Sequence, residues 1–235
     1  MTDAVLLPVY NEADTVKRVL DAVREHFDGV ILIVDDGSTD GTHAALLSRI
    51  DITLIAHPSN LGYGRALAEG FAVAKARGMS RLVTMDCDGQ HEPGHIREFL
   101  SALETDTDAD MISGSRYLPA SAEVGQVPSQ RQEVNRIITA QINNVTGFGI
   151  TDAFCGFKAY RVAALDGLRF VESGYGMPME MWAKAYRAGF VVREIAVERI
   201  YLDNDRSFGK DLDDPERRLA YYKRVWKTAL GEEAS

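Results

Sequence analysis

The sequence predicts an α/β protein with a mostly parallel central sheet and helices on both faces. Three observations carry this. Short apolar runs alternate with stretches of helical periodicity through the first half of the chain. Each of the first four runs ends in a polar cluster, and ligands of open α/β sheets bind beyond the carboxyl ends of strands. Finally, 235 residues, 46% hydrophobic and 26% charged, supply the core of one large domain.

The elements follow in order. Ala4–Val9 is the first apolar run. Glu12–His26 places Val16, Val19, Leu20 and Val23 on one helical face. Gly29–Val34 is a β-branched run, Asp40–Ile50 reads as a helix, and Ile52–Ala56 as a third strand. Gly64–Ala76 is helical with Ala66, Leu67, Gly70, Phe71 and Ala74 inward. Arg81–Met85 is the fourth strand, Gly94–Leu103 a helix and Asp110–Ser113 the fifth strand. The second half is less regular. Tyr117–Ser129 is a polar loop, Gln130–Val145 a helix, Phe157–Tyr160 a short strand, Pro178–Ala188 a helix and Val191–Tyr201 strand-like. After the polar stretch Asp203–Asp214, Pro215–Leu230 forms a last helix with proline at its first position. The chain thus divides into a main domain over 1–214 and a helix with its tail over 215–235. That helix carries Leu219, Tyr222, Val225, Trp226 and Leu230 on one face, with Arg217, Arg218, Lys223, Arg224 and Lys227 around it. It either packs on the main domain or lies on an anionic bilayer.

Composition excludes several classes. A net charge of -9 argues against nucleic acid as a partner. Cys87 and Cys155 lie far apart in no metal-ligand pattern, which reads as free thiols in a reducing compartment. The N-terminus lacks the basic region of a signal peptide, and no run approaches a membrane span. The expected location is cytoplasmic, with peripheral contact at the cytoplasmic face of a membrane left open. No Gly-x-Gly-x-x-Gly follows the first strand, which disfavours a dinucleotide dehydrogenase.

Chemistry concentrates at the strand ends. Asp86, Asp88 and Gln90 crowd two carboxylates and an amide onto alternate positions after the fourth strand. Like charges this close repel, so a cation is expected among them. Hard oxygen ligands suit Mg²⁺ or Mn²⁺, and Mg²⁺ usually arrives with substrate phosphates. The competing reading is an acidic turn capping the helix near Pro93. The doubled acid Asp35-Asp36 exceeds what capping needs, and one carboxylate can accept from a base N–H or ribose hydroxyl. Ser38, Thr39 or Asp40 can cap the next helix. Asn60-Leu-Gly-Tyr-Gly64-Arg65 has no Walker lysine, so Gly62 and Arg65 either contact phosphate or let the helix start close to the sheet.

With these clusters in place the chain resembles the family-2 glycosyltransferases, from Val5 to about Arg206, on the pieces LPVYNE, IVDDGSTDGT, NLGYGRA, MDCDGQH, SGSRY and DAFCGFKAYR. Its closest look is to the family's polyprenyl-phosphate sugar transferases. The resemblance implies a GT-A-type, Rossmann-like sandwich and an inverting, metal-dependent enzyme. Such an enzyme moves mannose or glucose from a GDP- or UDP-hexose to a polyprenyl, dolichyl-type phosphate. It implies that Pro8, Tyr10, Glu12 and Asp36 hold the nucleoside, with Asp35 in support. Asp86, Asp88 and Gln90 bind metal and diphosphate. Arg116 and Arg131 face the acceptor phosphate, and Arg206 with Lys210 closes over the donor. The alternatives are a soluble or protein-linked hydroxyl acceptor, or a non-catalytic nucleotide-sugar-binding subunit. The Gln-x-x-Arg-Trp segment of processive synthases is missing, since Gln132-Glu-Val-Asn-Arg136 runs into Ile137, and Glu180 has no adjacent Asp. Both departures disfavour polymer synthesis and leave Glu180 a structural role.

Overall fold

The computed structural model describes residues 2–124, 129–200 and 212–231. Its strands arise where apolar residues are contiguous, so that both faces of the pleat are buried. In β1, Asp3–Val9, Ala4 and Leu6 join one core layer while Val5, Leu7 and Val9 join the other. The remaining strands of the first half are β2, Val30–Asp35, β3, Thr53–Ala56, β4, Arg81–Thr84, and β5, Met111–Ser115. Among the described residues seven strands form one sheet in the order β3-β2-β1-β4-β7-β5-β8, where β7 is Lys158–Arg161 and β8 is Val192–Ala196. β1, β2, β3 and β4 run parallel, as do β5 and β8. β7 inserts antiparallel between β4 and β5.

The helices cover both faces. α1, Val16–His26, and α4, Ile96–Thr105, pack on one side. α3, Tyr63–Ala76, α6, Met177–Arg187, and α7, Pro215–Leu230, pack on the other. The apolar stripe Val16, Val19, Leu20 and Val23 is buried as its spacing predicts. Yet α1 begins four residues later than Glu12. Asn11 sits at φ 55, and the N–H groups of Asn11, Glu12 and Ala13 donate to Ser38, Thr42 and Asp40 rather than entering a helix. Between β2 and β3, α2 covers only Thr42–Leu47, since past Leu46 the apolar residues Leu47 and Ile50 are exposed and bury no stripe that would extend it. The expected strand Val191–Tyr201 also breaks. β8 ends at Ala196, and Arg199–Ile200, β9, pairs instead with β6, Glu123–Val124, inside the stretch expected to be loop. An ion pair between Arg199 and Glu123 accompanies that crossing. α5, Ser129–Thr146, follows the loop.

The C-terminal helix resolves its two readings. Tyr222, Val225 and Trp226 are buried in the core that α3 and α6 share, and Trp226 is 2% exposed. The apolar face is therefore not available to a bilayer. Asp214 caps the helix by accepting from the N–H groups of Glu216 and Arg217, and Gly231 closes it in the left-handed conformation. Arg218 belongs with the buried face rather than the solvent side where its charge placed it. Among the described residues no helix is long and apolar enough to cross a membrane.

Candidate active site

The carboxyl ends of β1, β2, β4 and β5 open onto one cavity of about 480 Å³. Pro8, Tyr10 and Glu12 enter it from the end of β1, and Asp36 from the end of β2. The loops after these strands are stitched together by the Asn11, Glu12 and Ala13 hydrogen bonds and by Thr39 N–H donating to Asn11 Oδ1 at 2.8 Å. Tyr10 is 43% exposed, so its ring presents a flat apolar face at the mouth.

Asp36 is the hinge of this end. Its backbone N–H donates to Val9 O, and its carboxylate accepts from Leu61 N–H and Gly62 N–H, each at 2.8 Å. His57 Nδ1 lies 2.6 Å from the same carboxylate, and its Nε2 lies 3.1 Å from Glu69. The glycine-rich segment is thus hung from Asp36. Gly62 lines the cavity at φ 105, and a Cβ there would fall 2.3 Å from Ser173 O. Gly64 N–H donates to the same carbonyl at 2.7 Å. Close backbone approach to the loop at 172–174, together with the left-handed φ, explains the glycines. Two expected site residues have no seat here. Asp35 points to the opposite face of β2, where it accepts from Ser38 N–H and lies 2.7 Å from His43 Nδ1, because neighbours on a strand alternate sides. Arg65 is exposed on the outer face of α3, 4.0 Å from Glu69. Neither lines the cavity.

Asp86, Asp88 and Gln90 all line the cavity beyond β4. Tyr63 O–H donates to Asp86 at 3.1 Å, and burial beside that carboxylate holds the phenol well above its ordinary pKa. The Asp86 carboxylate rests on Gly156, where a Cβ would come within 2.4 Å of it. Asp88 Oδ1 accepts from Gln90 N–H at 2.9 Å, which closes the turn. His91 is no part of this oxygen set. Its Nδ1 accepts from Asp86 N–H at 3.1 Å, its ring stacks on Phe157, and burial lowers its pKa to about 4. No three His, Cys, Asp or Glu side chains cluster to hold a metal among the described residues. Two carboxylates and an amide fit a hard cation whose other ligands are phosphate oxygens and water.

Further along the sheet, Arg116 follows β5, and Arg131 opens α5. Arg116 is held by Asp152 through Nε at 2.7 Å and Nη2 at 3.0 Å, and the guanidinium keeps that buried carboxyl low against the opposing pull of burial. Asp152 precedes the loop whose Ala153 carbonyl accepts from the Trp182 indole at 2.8 Å. Glu180 is buried outside the cavity. Its carboxylate accepts from the N–H groups of Val171 and Glu172 and pairs with Lys184, the supporting role expected of it. Arg206 and Lys210 lie outside the described residues.

Tyr63, Tyr175, Arg218 and Tyr222 also line the cavity, and their positions in the sequence marked none of them as site residues. Tyr63 and Tyr175 stack at 6.0 Å. A signal for Arg218 did exist. It stands four, seven and eight residues before Tyr222, Val225 and Trp226, on their stripe.

Strand order, an acidic loop past β4 and paired loops past β1 and β2 define a GT-A-type sugar-transfer fold. The chain belongs to glycosyl transferase family 2, whose family-wide pattern residues 4–169 match, and it is a glycosyltransferase. It is 34% identical over 202 residues to polyprenol monophosphomannose synthase of Mycolicibacterium smegmatis, covering 82% of this chain and 75% of that one. It is 31% identical over 203 residues to undecaprenyl-phosphate mannosyltransferase of Micrococcus luteus, covering 82% and 81%. Among solved structures, glucosyl-3-phosphoglycerate synthase from Mycobacterium tuberculosis, in complex with Mn²⁺, UDP and phosphoglyceric acid, superposes with a TM-score of 0.76. That match covers 100% of this chain and 80% of that one at 19% identity, a likeness of fold.

Proposed function

We propose that this glycosyltransferase moves a hexose, mannose in the first instance, from a nucleoside diphosphate sugar to a polyprenyl phosphate with inversion at the anomeric carbon. The observation that carries it is the cavity's composition along the sheet. Asp36, Asp86 and Asp88 stand at the ends of β2 and β4, and Arg116 and Arg131 enter from β5 and α5. The two relatives named for polyprenyl-phosphate mannosyl transfer support the same donor sugar and acceptor class.

Tyr10 lies against the base while Asp36 and Glu12 accept from base or ribose. Asp86, Asp88 and Gln90 hold a divalent cation, Mg²⁺ or Mn²⁺, with the donor diphosphate. When bound, the ion neutralises the charge that builds on the departing diphosphate. Arg116 and Arg131 hold the acceptor phosphate so that one of its oxygens meets the anomeric carbon opposite the leaving group. The new carbon–oxygen bond forms as the sugar–diphosphate bond breaks, and the electron pair leaves with the nucleoside diphosphate. An anionic phosphate needs no general base, whereas a hydroxyl acceptor does. The planar guanidinium fork suits phosphate oxygens, and Asp152 fixes the orientation of one fork.

The test is a panel of radiolabelled GDP- and UDP-hexoses with polyprenyl phosphate, with and without Mn²⁺. Label is expected in the organic phase from a mannose donor, in the presence of the ion. Label confined to the aqueous phase from every donor would sink the lipid acceptor. The cradle under Asp86 gives a second expectation. In Gly156→Ala the new methyl displaces the Asp86 carboxylate, a misplacement that costs roughly 100-fold in turnover. A wild-type thermal melt with wild-type turnover would remove Asp86 from the chemistry.

A membrane contact, if the acceptor is a lipid, falls to the outer side of α7, where Arg217, Lys223, Arg224 and Lys227 are exposed. Flotation with anionic vesicles is expected to fall in a Lys223→Glu, Lys227→Glu variant and to weaken with salt in the wild type. Equal flotation of both proteins would exclude this face.

A further inference from the structure

The cavity holds an arginine that neither the strand ends nor the motifs account for. Arg218 lies in the first turns of α7, is 5% exposed, and lines the same cavity as Arg116 and Arg131. Burying a guanidinium is costly unless it is paired or hydrogen-bonded. Its setting is built rather than incidental. One Nη donates to Leu212 O at 3.0 Å, and the helix that carries it is capped by Asp214 and anchored by Trp226.

Three arginines reach the cavity from three separate elements, and a short chain of contacts leads from Arg116 to Tyr222, toward the other two. Asp152 pairs with Arg116 and also accepts from Phe154 N–H at 3.1 Å. The Phe154 ring lies 4.7 Å from that of Tyr222. Burial raises the Tyr222 hydroxyl to a pKa of about 12, against the opposing pull of Arg218 and Arg131, so both guanidiniums stand within electrostatic reach of it. Arg131 and Arg218 each lie on the inward stripe of their helices, the first with Val134, Asn135 and Ile138.

We propose that Arg218 is a further acceptor-binding residue, which completes with Arg116 and Arg131 a three-arginine cradle for a phosphate monoester. The proposal rests on the phosphate-acceptor reading above and deepens it. The C-terminal helix then supplies part of the site, and the cradle is complete only when α7 is docked. A monoester phosphate offers three oxygens, one for each arginine and with one free to attack when two arginines share. A phosphate ester could be presented on a lipid or on a soluble molecule, and the cradle reads the headgroup the two have in common.

The test begins with binding. Calorimetry with a water-soluble short-chain prenyl monophosphate is run on the wild type with Mn²⁺ and nucleoside diphosphate present, beside the corresponding alcohol. The wild type is expected to bind the phosphate and not the alcohol. Arg218→Gln is expected to weaken that binding about 10- to 100-fold, while nucleotide affinity stays within about twofold. Arg218→Lys is expected to recover part of the loss, and serves in place of the Gln variant should that protein melt below the wild type. Steady-state transfer then separates the substrates. The KM for polyprenyl phosphate is expected to rise in the variants and the KM for the donor to stay put.

The proposal is overturned if wild type binds no prenyl phosphate, if Arg218→Lys and Arg218→Gln bind it as wild type does, or if donor and acceptor constants change together. A loss seen only with long-chain lipid and not with the soluble phosphate also overturns it, since the residue would then read the chain or the membrane. If wild type binds the phosphate through Arg218 but transfers no sugar to it, the cradle stands and the acceptor reading above fails instead.

Discussion

Asp88→Asn is expected to lower turnover by about 100- to 1000-fold while leaving the fold intact. The asparagine keeps an oxygen that can accept from Gln90 N–H, the 2.9 Å bond that closes the turn after β4. The loop therefore keeps its shape, and what the substitution removes is charge. If the loop holds a cation against a donor diphosphate, that charge is felt most as the leaving group departs. The loss should then appear in kcat and in the stabilisation that Mn²⁺ with nucleotide gives the wild type, with the melt of the unliganded protein unchanged. Chelation should reproduce the loss in the wild type and add little to the variant. A decrease of threefold or less, or wild-type turnover in chelator, would take the loop out of the chemistry.

The largest effect on stability is expected from Trp182→Ala. This side chain is fully buried between the sheet and the α5–α7 layer, with Phe148 beside it and the Lys158 ammonium 5.2 Å from its ring. Removing a buried tryptophan costs about 3–5 kcal/mol. At this chain length each kcal/mol is worth roughly 2–4 °C of Tm. The indole N–H also holds the Ala153 carbonyl, one residue from the Asp152 that orients Arg116. Trp182→Phe keeps most of the volume and loses that bond, so it separates packing from positioning. We expect the Phe variant to fold nearly as stably and to lose acceptor affinity. Calorimetric melts and acceptor KM measured on both variants check this. An Ala variant within 1 kcal/mol of wild type by denaturant titration would show that the core closes over the gap.

Much of the cavity lining at the ends of β1, β2 and β4 was legible because it is written locally. Pro8, Tyr10, Glu12, Asp36, Gly62, Asp86, Asp88 and Gln90 all sit within a few residues of a strand end, and strands are visible as apolar runs. Asp35 and Arg65 do not line the cavity, for reasons equally physical. Two adjacent acids cannot both face the cavity when successive side chains on a strand point to opposite sides. The glycines of Asn60–Gly64 serve a close backbone crossing by residues 172–174, more than a hundred positions away, which nothing nearby in the chain announces.

The lining contributed from β5, α5 and α7 was less legible. Arg116 and Arg131 came from likeness to a family, and Arg218 was grouped with the basic residues around the apolar face of its helix because a charged residue there is ordinarily taken to face water. Its place four residues before Tyr222 on the buried stripe was in the sequence, but the burial of that stripe was not.

By itself the sequence determined most of the succession of strands and helices, the polar loops at the strand ends and the family, because apolar periodicity and short motifs act between near neighbours. Tertiary structure alone decided that β7 runs antiparallel between β4 and β5, that α7 lays its aromatic face on the core, and that this brings Arg218 into the cavity that Arg116 and Arg131 line. Those outcomes depend on apolar surfaces far apart in the chain finding one another, and the free energy of that burial is set by the whole packed interior rather than by any local pattern.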